Sequence, residues 1–194
     1  MTLSDKNTNK QRKIATMNIA ITKGTGSGPT EMAAFDKALV DAGIANYNLL
    51  YLSSVVPPKS KVHEHKPKLG DYGEWGDRLY VVMSQERAYR INEEAWAGIG
   101  WVQDEDGKGM LVEHEGRSEG TVRADIVNSL TAFGENRGQK FGPIHMVVTG
   151  VICTDLPVCA MVVAVFEGTG WRSNKQNNLL SWVNTRKPQP KKPN

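Results

Sequence analysis

The chain has 194 residues, 39% hydrophobic and 23% charged, with a formal net charge of +3 and two cysteines. That composition fits one soluble globular domain with a sizeable core, expected over residues 13–184. It speaks against nucleic acid, because no basic face is interleaved with aromatics, against a bilayer span, because the longest apolar run is Val158–Phe166, and against a disulfide scaffold.

Residues 1–12 are polar and basic, and residues 185–194 combine four positive charges with three prolines, so both ends are expected to be flexible tails. Lys13–Lys23 alternates as a strand. The run Gly24-Thr25-Gly26-Ser27-Gly28 is expected as a flexible turn, with a phosphate cradle as the weaker alternative because the lysine of a P-loop is missing. Thr30 can cap a helix reaching about Ala42, with Met32, Phe35 and Leu39 on one stripe and Gly43 at the stop. Residues 44–56 read as a strand and 57–76 as a long loop. Strands follow at Asp77–Ser84, Glu93–Val102 and Met110–Glu115, the last two joined by a hairpin at Asp104–Gly107. Ser118 starts a second helix, with Val122, Ile126, Leu130 and Phe133 on its apolar face and Gly138 ending it. Ile144–Cys153 and Val158–Phe166 are the closing strands. Few strands lead straight into helices, so the fold class is α+β rather than a parallel doubly wound sheet.

Four features could carry chemistry. His63-Glu64-His65 offers two imidazoles, but nothing nearby completes a metal site, and solvated histidines are expected. Cys153 and Cys159 read as buried free thiols. Asp36 lies beside the buried stripe of the first helix, and Glu113 shares a strand face with Leu111, so each carboxylate could face inward or water. Ser53-Ser54 sits where an apolar strand meets Pro57-Pro58, a constrained turn for which residue physics alone favours an inert strand end.

The joint pattern Phe35-Asp36, Ala42-Gly43-Ile44, Asn46, Asn48-Leu49, Ser53-Ser54 and Pro57-Pro58, with Val112-Glu113-His114-Glu115-Gly116 downstream, resembles the pyruvoyl-dependent arginine decarboxylase family over about residues 14–168. The resemblance implies an αββα layered sandwich with largely antiparallel sheets; the short apolar runs give the separate expectation of a cytoplasmic protein. The resemblance also implies self-cleavage into a β chain 1–53 and an α chain 54–194, with a pyruvoyl cofactor made from Ser54 and no metal. On that likeness the pyruvoyl group forms a Schiff base with L-arginine, CO₂ departs, Glu113 returns a proton, and agmatine results. Asn48 helps position the processing site or the Schiff base, Asp36 pairs with the substrate guanidinium, and Leu39, Tyr47, Ser53 and Val55 fall at pocket positions. Met32, Ala45 and Tyr47 depart from the family pattern, which leaves another amino acid as an alternative substrate. A non-enzymatic nucleotide-binding module using Gly24–Gly28 is the alternative from a different class. The family further implies a homotrimer of cleaved αβ protomers, or a multiple of it, with sites between neighbours, for which Trp75, Trp96 and Trp101 are available as contacts.

Overall fold

The computed structural model describes residues 16–171. Among them, two sheets face one another and each carries one helix on its outer side. The first sheet runs β2 (Asn48–Tyr51), β5 (Arg78–Ala88), β9 (Val158–Thr169), β1 (Asn18–Ser27), β4 (Lys61–Glu64), and the second runs β3 (Val55–Val56), β7 (Gly109–Gly116), β6 (Glu94–Gln103), β8 (His145–Ile152). Pairing is antiparallel except for β1 with β4 and β2 with β5. The α+β reading with an αββα layering is therefore what the chain adopts.

Three apolar layers hold the four together. Ile19, Ile21, Val82, Ile99, Leu111 and Val162 fill the space between the sheets. Ala34, Ala38, Leu79 and Met161 lie under α1 (Glu31–Ala42), and Val112, Val122, Ile126 and Leu130 under α2 (Glu119–Arg137). β9 explains itself on this plan. Its alternate residues enter the inter-sheet core and the α1 core, so both faces are covered and the strand is apolar almost throughout.

α1 forms as its sequence predicts. The Thr30 hydroxyl accepts from the Ala33 N–H at 3.1 Å, and Gly43 ends the helix at φ 80°, a left-handed conformation that suits glycine. The glycine run is a correction. Gly24 and Gly26 lie inside β1, not in a turn, and face the Ala34, Ala38 and Ala42 edge of α1. A Cβ on Gly24 would fall on the Ala38 carbonyl, and one on Gly26 would come within 2.5 Å of the Ala38 nitrogen. Small residues on both partners bring helix and strand together, so these glycines serve packing and not the phosphate cradle that the nucleotide-binding alternative needs.

Three other expectations change. The strand expected over 44–56 is two short strands in different sheets. The expected loop 57–76 contains β4, whose His63 and Glu64 pair with β1. Of the three tryptophans offered as surface contacts, Trp75 is exposed, Trp96 is half-buried beside α2, and Trp101 is buried. The hairpin at Asp104–Gly107 forms, with Gly107 at φ 80°. α2 begins after Ser118 and ends at Gly138, φ 57°, although Ser118 makes no side-chain capping bond. Among the described residues, no helix is long and apolar enough to cross a membrane. The tails 1–12 and 185–194 lie outside the described residues.

Candidate active site

The chain changes sheets at the serine pair. The Leu52 N–H donates to the Val81 carbonyl at 2.8 Å, so Leu52 is still held by the first sheet. The Leu111 N–H donates to the Ser54 carbonyl at 2.8 Å, so Ser54 already belongs to the second. The peptide bond between Ser53 and Ser54 therefore spans the step from one sheet to the other. Within that step the Val55 N–H donates to the Ser53 carbonyl at 2.5 Å, closing a three-residue turn around Ser54.

β7 brings the acid to this turn. β3 pairs with Gly109 and Met110, which leaves the β7 edge beyond Leu111 open beside Ser54. There the Ser54 hydroxyl donates to Glu113 Oε2 at 2.7 Å across 59 positions of sequence. A hydroxyl bonded to a carboxylate is short and strong among hydrogen bonds, and it fixes where the oxygen lone pairs point. Glu113 stands opposite Ile99 on the strand face that carries the buried Leu111, yet its side chain is exposed at the open edge, so the inward reading is corrected to an edge position.

Two cavities flank the turn. One, about 480 Å³, is lined by Ser53, Ser54, Glu113 and His114 together with Phe133 and Arg137 of α2. The other, about 410 Å³, lies on the far side and is lined by Ser53 and Val55 with Leu52, Tyr80, Phe166 and Glu167. Of the residues singled out from sequence, Ser53, Ser54, Val55 and Glu113 are thus gathered at one place. The lining from α2 was not foreseen. Phe133 read only as core, and nothing in the sequence distinguishes Arg137 from other surface cations.

The remaining candidates line neither cavity. Asn48 begins β2, where its side-chain amide donates to the Gly76 carbonyl at 2.5 Å. Tyr47 is buried under α1, and its hydroxyl accepts from the N–H groups of Gly70 and Tyr72, tying down the loop before β5. Leu39 is buried in the same core, whereas Asp36 is exposed on the outer surface of α1.

No group of three or more potential metal ligands occurs among the described residues. His63 and His65 are exposed, His114 is bonded to the Ser129 hydroxyl at 2.8 Å, and His145 stacks on Trp101. Cys153 and Cys159 are free and buried, as expected. Burial pushes the Cys159 thiol up to about 11, so it carries no reactive thiolate near neutrality.

A model of the family described as pyruvoyl-dependent arginine decarboxylase matches residues 18–168, the segment holding all four layers and the serine turn. Among similar proteins, the pyruvoyl-dependent arginine decarboxylase of Halobacterium salinarum is 34% identical over 113 residues, 58% of this chain and 68% of that protein. That of Pyrococcus furiosus is 31% identical over 140 residues, 71% of this chain and 87% of that protein. That of Methanothermobacter thermautotrophicus is 31% identical over 127 residues, 64% of this chain and 80% of that protein. With its matched segment running from the first strand to the last, and with a serine pair and a glutamate brought together inside it, the chain belongs to the pyruvoyl-dependent arginine decarboxylase family.

Proposed function

We propose that this chain is a proenzyme that cuts itself between Ser53 and Ser54 and, once cut, converts L-arginine to agmatine and CO₂. The observation that carries the reading is the Ser54 hydroxyl held on Glu113 at 2.7 Å, in a turn whose Ser53 carbonyl accepts from the Val55 N–H. The hydroxyl oxygen is thereby oriented, and the carbonyl it must attack is polarised by a donor that strengthens as negative charge builds on the oxygen.

The bond changes follow from those atoms. Ser54 Oγ adds to the Ser53 carbonyl carbon, the C–N bond breaks, and the hydroxyl proton passes to the departing nitrogen, leaving an ester. Loss of the Ser54 Cα proton then breaks the Cβ–Oγ bond, so Ser53 departs as a carboxylate carrying both oxygens. Water hydrolyses the remaining dehydroalanine with release of ammonia, and residue 54 ends as a pyruvoyl group.

The residues around the turn fit such a group. The Leu111 N–H anchors the amide carbonyl of residue 54, and the 480 Å³ cavity gives a substrate amine access to the adjoining ketone made from the Ser54 Cα. A ketone there supplies a covalent anchor for that amine and an acceptor for the electron pair left as CO₂ departs. Glu113, which lines the cavity, holds and returns the proton that completes agmatine. Asp36 supplies a carboxylate for the guanidinium, and Leu39 lies one turn further along the same helix. Because Asp36 is exposed on the outer surface of α1, it serves the site of a neighbouring copy in a homotrimer, whereas Leu39, buried in the α1 core, supports the helix from within. The exposed apolar side chains Met32, Tyr51 and Val55 support such packing.

A denaturing gel with intact mass measurement tests the reading. Two fragments divided at Ser53, the second bearing a hydrazine-reactive ketone, are expected together with CO₂ release from arginine. A single uncut chain in active material ends it.

A further inference from the structure

We propose that Arg137 is the receptor for the new carboxylate that self-cleavage creates at Ser53, an inference that rests on the self-cleavage reading above. Before the cut, the Ser53–Ser54 link is a neutral amide; after the elimination, Ser53 ends in a carboxylate at the same place. That adds a full negative charge to a cavity that already contains Glu113. Two carboxylates in one cleft repel, so the freed terminus moves unless a cation receives it.

Only one lining residue is suited to do so. Among the described residues around the two cavities beside the turn, Arg137 is the sole Lys or Arg, and it shares the 480 Å³ cavity with Ser53. His114, the other basic group there, is committed to the Ser129 hydroxyl. The opposite cavity holds Glu167, which would repel the same terminus. Arg137 makes no ion pair among the described residues. Its guanidinium instead lies 5.3 Å from the centroid of the Phe133 ring, which steadies the group while leaving its N–H edge open. A planar guanidinium can grip a carboxylate with two parallel bonds.

The pairing has a use in the reaction. A β-chain end drawn to the α2 side leaves the ketone of residue 54 open to the substrate amine and keeps a stray carboxylate away from Glu113. A cation at the C-terminal end of a helix is often no more than a partner for the helix dipole, and that role would change stability without touching the chain end.

Carboxypeptidase trimming of the processed protein, followed by mass measurement, reads the terminus directly. Release of Ser53 and Leu52 is expected to be about five-fold faster from Arg137→Gln than from the unaltered protein, the change that an exposed pair of about 1 kcal/mol produces. Arg137→Lys should fall between, and 1 M salt should speed trimming of the unaltered protein, which keeps the test independent of whether the Gln variant folds. Equal trimming of all three proteins at both salt concentrations overturns the assignment. So does a raised KM for arginine in Arg137→Gln with trimming unchanged, which would make Arg137 a substrate contact. If the unaltered chain never cuts, the self-cleavage reading fails first and takes this one with it.

Discussion

Replacing Glu113 separates the two duties assigned to it, because glutamine and alanine remove different things. The Ser54 hydroxyl rests on Glu113 Oε2 at 2.7 Å. Glutamine still presents an oxygen there, so the hydroxyl keeps an acceptor but loses the charge. Alanine removes the acceptor, and the hydroxyl is free to rotate away from the Ser53 carbonyl. A hydrogen bond to a charged group contributes about 1.5–3 kcal/mol and a neutral one about 1. Taking the lower end for an exposed side chain, Glu113→Gln should slow self-cleavage by no more than about three-fold and Glu113→Ala by about ten-fold. Decarboxylation should respond differently, since neither variant can return a proton, and both should lose about 10²-fold or more in kcat. Timed denaturing gels of freshly synthesised chain measure the first effect, and CO₂ release per cleaved site measures the second. Cleavage of Glu113→Ala at the unaltered rate would refute hydroxyl orientation by Glu113, and full turnover by Glu113→Gln would remove it from the decarboxylation.

Other expectations concern the scaffold. Gly26→Ala drives a methyl into the α1 backbone near Ala34 and Ala38, an overpacking cost of about 1–3 kcal/mol that should lower Tm by about 3–10 °C, whereas Gly120→Ala, with nothing nearer than 3.8 Å, should leave Tm equal or slightly higher. A hydrogen bond from Lys66, aided by one from the Thr25 N–H, holds the Asp41 carboxyl below its ordinary 3.8. Its stabilisation is present above that value and is lost as pH falls through the depressed one, so Asp41→Asn should lower Tm at pH 7 and converge with the unaltered protein only once pH has fallen below the depressed value. With its thiol raised to about 11 by burial, Cys159 should resist thiol reagents at pH 8 until denaturant is added, and rapid native labelling would contradict its placement in the α1 core.

Much of the fold was legible because local chemistry and tertiary role agree. Thr30 and Gly43 bound α1 by the same capping chemistry that the sequence advertises, and Val122, Ile126 and Leu130 lie on the stripe that meets the second sheet. The glycine run was misread because glycine serves two ends: it permits turns, and it permits close approach. Only the partner surface of Ala34, Ala38 and Ala42 distinguishes them, and that partner is a tertiary fact. β4 was hidden for a different reason. It is a four-residue edge strand rich in charge, sustained by parallel pairing to β1 rather than by any apolar pattern of its own. At the site, the serine pair stood out as an anomaly, but residue physics could not tell a reactive turn from an inert one. The partnership of Ser54 with Glu113 depends on β3 pairing with the start of β7, a long-range register that no local signal encodes.

The proposed cut would also determine what happens to the pieces. A break after Ser53 leaves β1, α1 and β2 on the first fragment and every later element on the second. β1 is an interior strand of its sheet, paired with β9 from Ala20↔Val165 to Ser27↔Val158 and with β4 on its other edge, while α1 covers that sheet from outside. The fragments are therefore interleaved through the core, and opening the link between the sheets removes no strand ladder and no buried side chain. Processed protein should run as a single species under native conditions and separate only in denaturant. Refolding should then show the cost of the missing link: fragments of the processed protein must find each other, so recovery should fall on dilution more steeply than for Ser54→Ala, whose uncut chain closes the same contacts internally. Separation of the fragments on native size exclusion would show that β1 does not hold the interior place between β9 and β4.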